Sequence, residues 1–306
     1  MMRRKLNDFY GPRVARRVAD DWESKPYRRI ELTPLTPTIG AEVEGVDLAL
    51  PMAPELIDEV RQALAEWKVL FFRDQHITRD RQAEFAAAFG PIEGHPFARF
   101  TGAYGKEQSD EAPAVFRFVK DEQSPGIENF WHNDLSFQPR PSMATVLRAV
   151  EVPPVGGDTL WCDMAAAFEN LPADLQERVS NLSAEHDWFD NFGNAMPEDI
   201  RDRLRPHHPP VIHPVAPRHP VTGRRCLFVN RIFTKRIVGT DDHESADLLE
   251  TLFAQPNYCE YQCRFRWQPD SVALWDNRAS QHYAVSDYAP ARRVMERVSV
   301  QGPPPA

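Results

Sequence analysis

The chain has 306 residues, 42% of them hydrophobic, which is ample for one well-buried core carrying large loops. Its formal net charge of −9 gives a surface that does not attract nucleic acid or anionic membrane, and no apolar run approaches the roughly 20 residues that span a bilayer. The basic start Met1-Met2-Arg3-Arg4-Lys5 is followed by acidic residues rather than an apolar signal segment, so a cytoplasmic protein is expected.

Residues 1–27 are arginine-rich and hold Phe9 and Tyr10. They read as an anchoring arm or a homo-oligomer contact, or else as a short helix or extension lying on the surface. Residues 28–306 read as one domain. Short strands punctuated by Pro and Gly are predicted over residues 29–35 and 40–46. Leu56, Val60, Leu64 and Trp67 recur at helical spacing and predict an amphipathic helix over residues 55–67. The apolar run 68–73 predicts a core strand, and Thr78 is placed to cap a helix that ends before Gly90. Residues 94–129 break the pattern with Gly, Pro and charge, which predicts loop.

Strands are predicted over 142–150 and 156–161, then two helical pieces over 165–171 and 173–182, separated by Pro172. Residues 183–220, rich in His, Pro and Asp, read as a solvated insertion able to act as a lid; His207, His208 and His213 lack carboxylates at ligand spacing. Further strands are predicted over 225–230, 258–267, 271–275 and 294–300, with a helix over 244–253. The order of elements fits a β-core flanked by helices, a mainly β, α+β chain. Of the four cysteines, Cys259 and Cys263 lie close in sequence, but no second pair completes a zinc set, and buried or surface thiols are expected.

The chemistry concentrates in Trp131-His132-Asn133-Asp134. In an extended segment residues i and i+2 point to one side, so the His132 imidazole and the Asp134 carboxylate can converge on one ion. A two-histidine, one-carboxylate Fe(II) site needs one more imidazole and leaves three positions open. His282 is the candidate third ligand, and Arg293 and Arg297 follow it. A guanidinium offers a permanently charged fork for a carboxylate. Metal triad plus guanidinium suggests an oxygen-activating enzyme that uses 2-oxoglutarate.

These words, with Gly156-Gly157-Asp158-Thr159-Leu160-Trp161, Trp275-Asp276-Asn277-Arg278, Gln281-His282-Tyr283-Ala284 and Arg292-Arg293-Val294-Met295-Glu296-Arg297, together resemble the taurine dioxygenase (TauD/TfdA) family from about Thr33 to Gly302. The resemblance implies a double-stranded β-helix, or jelly roll. It implies Fe(II) held by His132, Asp134 and His282, and 2-oxoglutarate held by Arg293 and Thr159. It further implies hydroxylation of a small organic anion (a sulfonate, sulfate ester, carboxylate or amino acid) with O₂, and release of succinate and CO₂. Arg297, His95 and Phe233 match substrate-pocket positions. Glu128 stands where taurine enzymes carry asparagine, and Ala98 where they carry tyrosine. A carboxylate there repels a sulfonate or pairs with an ammonium group, which argues against taurine itself.

Two other readings compete. A non-catalytic, regulatory jelly roll could sense 2-oxoglutarate and metal, but it has no need of open iron positions. A zinc hydrolase would have no use for Arg293 and would call for a glutamate base beside a ligand histidine, which is absent.

Overall fold

The computed structural model describes residues 12–94, 96, 115–126 and 128–306. Strands β1 (Glu31–Pro34) and β2 (Ala41–Glu44) pair antiparallel, and helix α1 (Pro54–Trp67) follows. Val60, Ala63, Leu64 and Trp67 share one helical face and are buried. Pro54 occupies the first turn, where its missing N–H costs nothing. Lys68 ends the helix in the left-handed region (φ 64°), its N–H reaching the Leu64 carbonyl. Strand β3 (Val69–Phe72) is buried along its whole length, as its continuous apolar run predicts. Thr78 Oγ1 accepts from the Arg81 N–H at 3.2 Å and caps α2 (Arg79–Ala87).

Next come β4 (Ile92–Glu93), β5 (Phe116–Lys120), β6 (Ser142–Glu151) and β7 (Thr159–Asp163). Helices α3 (Met164–Glu169) and α4 (Ala173–Val179) are split near Pro172, as expected. Then follow β8 (Ser183–His186), α5 (Phe189–Phe192), α6 (Glu198–Leu204), β9 (Val211–Pro214), β10 (Thr234–Ile237) and α7 (Asp242–Phe253). The chain closes with β11 (Gln262–Phe265), β12 (Val272–Asp276), β13 (Ser280–Ala284) and β14 (Arg293–Gln301).

Among the described residues eight strands make the large sheet, in the order β1-β2-β3-β12-β6-β14-β4, with β5 also paired to β14. Helices α1 and α2 cover one of its faces through Val60, Leu64 and Phe85, which pack with Leu70, Val146 and Val298. On the other face Phe71, Trp275 and Met295 meet Trp161 and Phe265 of the smaller sheet β11-β7-β13. Phe71 stacks on Phe265 with centroids 4.0 Å apart, and Trp161 lies edge-on to Trp275 at 5.7 Å. Each such fully buried side chain contributes about 1.5–3 kcal/mol of transfer free energy, and truncating Phe71 to Ala would cost about 3–5 kcal/mol because the neighbours cannot close the void. Two facing sheets with helices outside match the expected jelly-roll layering.

Several expectations need correction. Residues 94–129 are not all loop, because β5 pairs with β14 from Phe116 to Lys120. Residues 183–220 are not a solvated stretch. Strands β8 and β9 pair there and β10 joins them, while His186, Trp188, Leu204, His213 and Val215 are buried. The apolar residues at 225–230 form no strand; their amides bond instead to Pro217, Met164 and Val215 on different segments. Within 258–267 a tight turn over Cys259–Tyr261 precedes the strand, and Cys263 is buried.

Residues 12–27 lie against this body. Asn170 exchanges hydrogen bonds with Val14, and Lys68 Nζ and Arg224 Nη1 both donate to the Arg17 carbonyl. Among the described residues no helix is long and apolar enough to cross a membrane.

Candidate metal centre and its cavity

The metal-ligand set is assembled by backbone pairing. His132 lies on a loop that forms an antiparallel bridge with His282 on β13, its N–H donating to the His282 carbonyl at 3.1 Å and receiving the reverse bond at 2.9 Å. The two rings face each other with centroids 4.1 Å apart. Asp134, two residues on, presents Oδ1 3.9 Å from His282 Nε2. Ligand atoms of all three lie within 4.8 Å of one another, and among the described residues no other His, Cys, Asp or Glu group does this. His132 Nδ1 lies 2.9 Å from the Phe130 carbonyl, so Nδ1 carries the proton and Nε2 keeps its lone pair.

Electrostatics suit a divalent ion. Burial pushes the His132 imidazole below its ordinary value, against the pull of Asp134. Burial and the neighbouring His132 bring His282 down to about 3. Burial alone would raise Asp134, but His282, Arg297, His132 and the Thr145 hydroxyl outweigh it and hold the carboxyl at about 2. At neutral pH the site therefore offers two neutral imidazoles and one carboxylate.

Strand β14 supplies the cations. Its two-residue period aims Arg293, Met295 and Arg297 into the cavity, while Glu296 points the other way toward Arg79, Arg117 and Arg148. Arg293 is 8% exposed, and its Nε and Nη2 have no hydrogen-bond partner among the described residues. Such a cation is costly unless an anion arrives. Burial pulls this guanidinium below its ordinary value, with only partial relief from Tyr288, Glu128 and Asp158. Thr159, at the start of β7, sits opposite Ala284 of β13 and lines the same cavity. Its Oγ1 accepts from Trp267 Nε1 at 2.9 Å, which leaves the hydroxyl proton to donate elsewhere. Arg297 Nη1 lies 3.3 Å from Asp134 Oδ1, and its guanidinium sits 4.9 Å over the Phe118 ring.

The family model for the Taurine catabolism dioxygenase TauD, TfdA family matches residues 31–299. The chain belongs to the TauD/TfdA family. It is 34% identical over 286 residues to an alkylsulfatase of Acinetobacter baylyi, covering 90% of this chain and 86% of that one. It is 33% identical to an alpha-ketoglutarate-dependent sulfate ester dioxygenase of Pseudomonas putida, over 90% of this chain and 91% of the relative. The crystal structure of a taurine dioxygenase from Burkholderia xenovorans superposes with a TM-score of 0.76 at 35% identity, covering 90% of each chain. This TauD/TfdA protein is thus an Fe(II)- and 2-oxoglutarate-dependent dioxygenase with the jelly-roll fold, taking O₂ and a small-molecule substrate.

The TauD/TfdA site draws together most of the residues singled out from sequence. His132, Thr159, His282, Arg293, Arg297 and Glu128 line one cavity, with Asp134 beside it. Phe233 lies elsewhere, in a buried cluster with Leu135, Phe137 and Trp188, and is not among the described cavity walls. His95 and Ala98 fall outside the described residues. Sequence reasoning missed Lys120, whose Nζ lies 2.8 Å from Glu128 Oε1. It sits opposite Arg293 on β5, the strand hidden in a polar, Gly- and Pro-interrupted stretch. Lys120 balances the charge of Glu128, so the carboxylate is not a lone negative group in the cavity.

Proposed function

We propose that this dioxygenase hydroxylates a small sulfate ester or a closely related sulfonate, with His132, Asp134 and His282 holding the iron. The observation that carries the reading is the charge lining the cavity: Lys120, Arg293 and Arg297 against Glu128, which Lys120 neutralises. Arg293, buried with Nε and Nη2 lacking partners among the described residues, fits the distal carboxylate of 2-oxoglutarate, and the free proton of Thr159 adds a second donor. Arg297 then remains for the anionic head of the substrate, steadied by Phe118. The named substrates of the relatives, sulfate esters and taurine, carry the same kind of head.

Ferrous iron with 2-oxoglutarate supplies oxygen activation coupled to decarboxylation of the 2-oxo acid to succinate and CO₂. The chain's residues orient the reactants. Arg293 and Thr159 fix one end of the co-substrate, while Leu147, Trp275 and Met295 exclude water from the cavity wall. Hydroxylation at the carbon bearing the ester oxygen yields a product whose C–O bond breaks, releasing sulfate and an aldehyde. A cytoplasmic location and small-molecule partners agree with the acidic net charge.

Succinate release is the test, measured with Fe(II) against a panel of alkyl sulfates, sulfonates, carboxylates and amino acids. Alkyl sulfates should give the highest kcat/KM, with taurine behind. Turnover confined to amino acids or to carboxylates would overturn the substrate assignment.

A further inference from the structure

We infer that Thr145 and Asn277 are positioning residues that restrict Asp134 to offering the metal a single oxygen. The proton direction of each link follows from donors that have no alternative. Trp275 Nε1 and the Asp134 backbone N–H can only donate, and both reach Asn277 Oδ1, at 3.0 and 3.2 Å. Asn277 Nδ2 must therefore face the other way, where it donates to Thr145 Oγ1 at 3.0 Å. With that lone pair taken, the Thr145 hydroxyl donates its own proton to Asp134 Oδ2 at 2.7 Å. A neighbouring link fixes the loop itself, since Asn133 Nδ2 donates to the Asn277 and Ser280 carbonyls.

The chain has one polarity and ends on one carboxylate oxygen. Thr145 and Asn277 are both 0% exposed, so no solvent water replaces either donor. Thr145 reaches this place because β6 pairs with β12, which sets it opposite Trp275, two residues before Asn277. Oδ2 is occupied by the Thr145 hydroxyl, while Oδ1 lies 3.9 Å from His282 Nε2 and 3.3 Å from Arg297 Nη1. A carboxylate with both oxygens free can chelate a metal and close one of the positions that co-substrate and O₂ require. The Thr145 hydroxyl keeps that position open.

The inference rests on the reading that the triad binds iron, and the experiment separates the two. Mn(II) is titrated calorimetrically into metal-free parent, Thr145→Val and Thr145→Ser proteins, and the visible spectrum of each Co(II)-loaded form is recorded. Thr145→Val should bind Mn(II) about 10- to 100-fold more weakly and shift the Co(II) bands, while Thr145→Ser, which keeps the hydroxyl, should match the parent in both. Should Thr145→Val fail to fold, Thr145→Ala against Thr145→Ser gives the same contrast. Equal affinity and spectra in parent and hydroxyl-free variant, or equal loss in Thr145→Ser, would overturn the positioning role. A parent that binds no Mn(II) would overturn the metal-site reading and this inference with it.

Discussion

The two ends of the cavity are built on opposite plans. At the metal end Asp134 Oδ2, Asn133 Nδ2 and both polar atoms of Asn277 are tied into buried hydrogen bonds, and the two imidazoles are set by a reciprocal backbone bridge. At the other end Arg293 is also buried, but its Nε and Nη2 have no hydrogen-bond partner among the described residues. The first end is arranged before anything binds. The second holds a desolvated charge whose free energy cost an incoming carboxylate, as proposed above, would relieve.

His132→Ala should break the metal end outright. Removing one ligand costs several kcal/mol of charge stabilisation, on the order of a 1000-fold loss in turnover. The weak visible charge-transfer band formed anaerobically with Fe(II) and 2-oxoglutarate should vanish with it. A band that survived in this variant would remove His132 from the ligand set.

Arg293→Ala should break the other end alone. The KM for 2-oxoglutarate should rise about 100-fold, in line with losing one partner of a buried charge pair, while Mn(II) affinity stays at the parent value. Ligand-free Arg293→Ala should melt no lower than the parent, because the unpaired cation has gone, and 2-oxoglutarate should no longer raise its Tm. Equal effects on metal and co-substrate would undo the division between the two ends.

Acid should act on the rest of the fold. Burial holds His186 well below its ordinary value of 6.5, and burial also lowers His213 beside it. Below pH 6.5 the unfolded chain takes up protons that the folded chain refuses, so stability falls as pH falls through that window. Each such group adds a slope of up to about 1.4 kcal/mol per pH unit. Denaturant melts at pH 7 and pH 5 should show this loss, and His186→Gln should flatten it. An unchanged slope would mean that His186 is not kept neutral.

The smallest effect belongs to the partly exposed Lys120–Glu128 pair. Such pairs contribute about 0.2–1 kcal/mol, so Lys120→Met should raise the KM for an anionic substrate by no more than about fivefold, and Glu128→Gln should lower it by a similar factor. Opposite signs in the two variants are the measurement that matters.

That His132, Asp134, His282, Arg293 and Thr159 gather at one cavity is legible because short local words carry them. The strands that deliver them were less so. Strand β13 reads Ser-Gln-His-Tyr-Ala and has no alternation of apolar and polar residues, because His282 and Ala284 face a cavity rather than a hydrocarbon core. Strand β5 sits beyond a charged stretch, and only its pairing with β14 reveals it. The stretch 183–220 looked solvated because His and Pro are usually outside, yet His186 and His213 are buried with Ser136 Oγ and the Gln138 carbonyl as partners. Asn277 stood in plain view within its motif, but its task depends on Thr145, 132 residues away. No local pattern encodes that contact.

The bridge between His132 and His282 couples two segments 150 residues apart through main-chain amides rather than through rotamers. The spacing of the two imidazoles is thus inherited from the ladder, and side-chain drift elsewhere leaves it intact. Opening of that single rung would release both donors in one event, so deuterium uptake at these two amides should rise and fall together. A bound ion would act as a rivet on the seam.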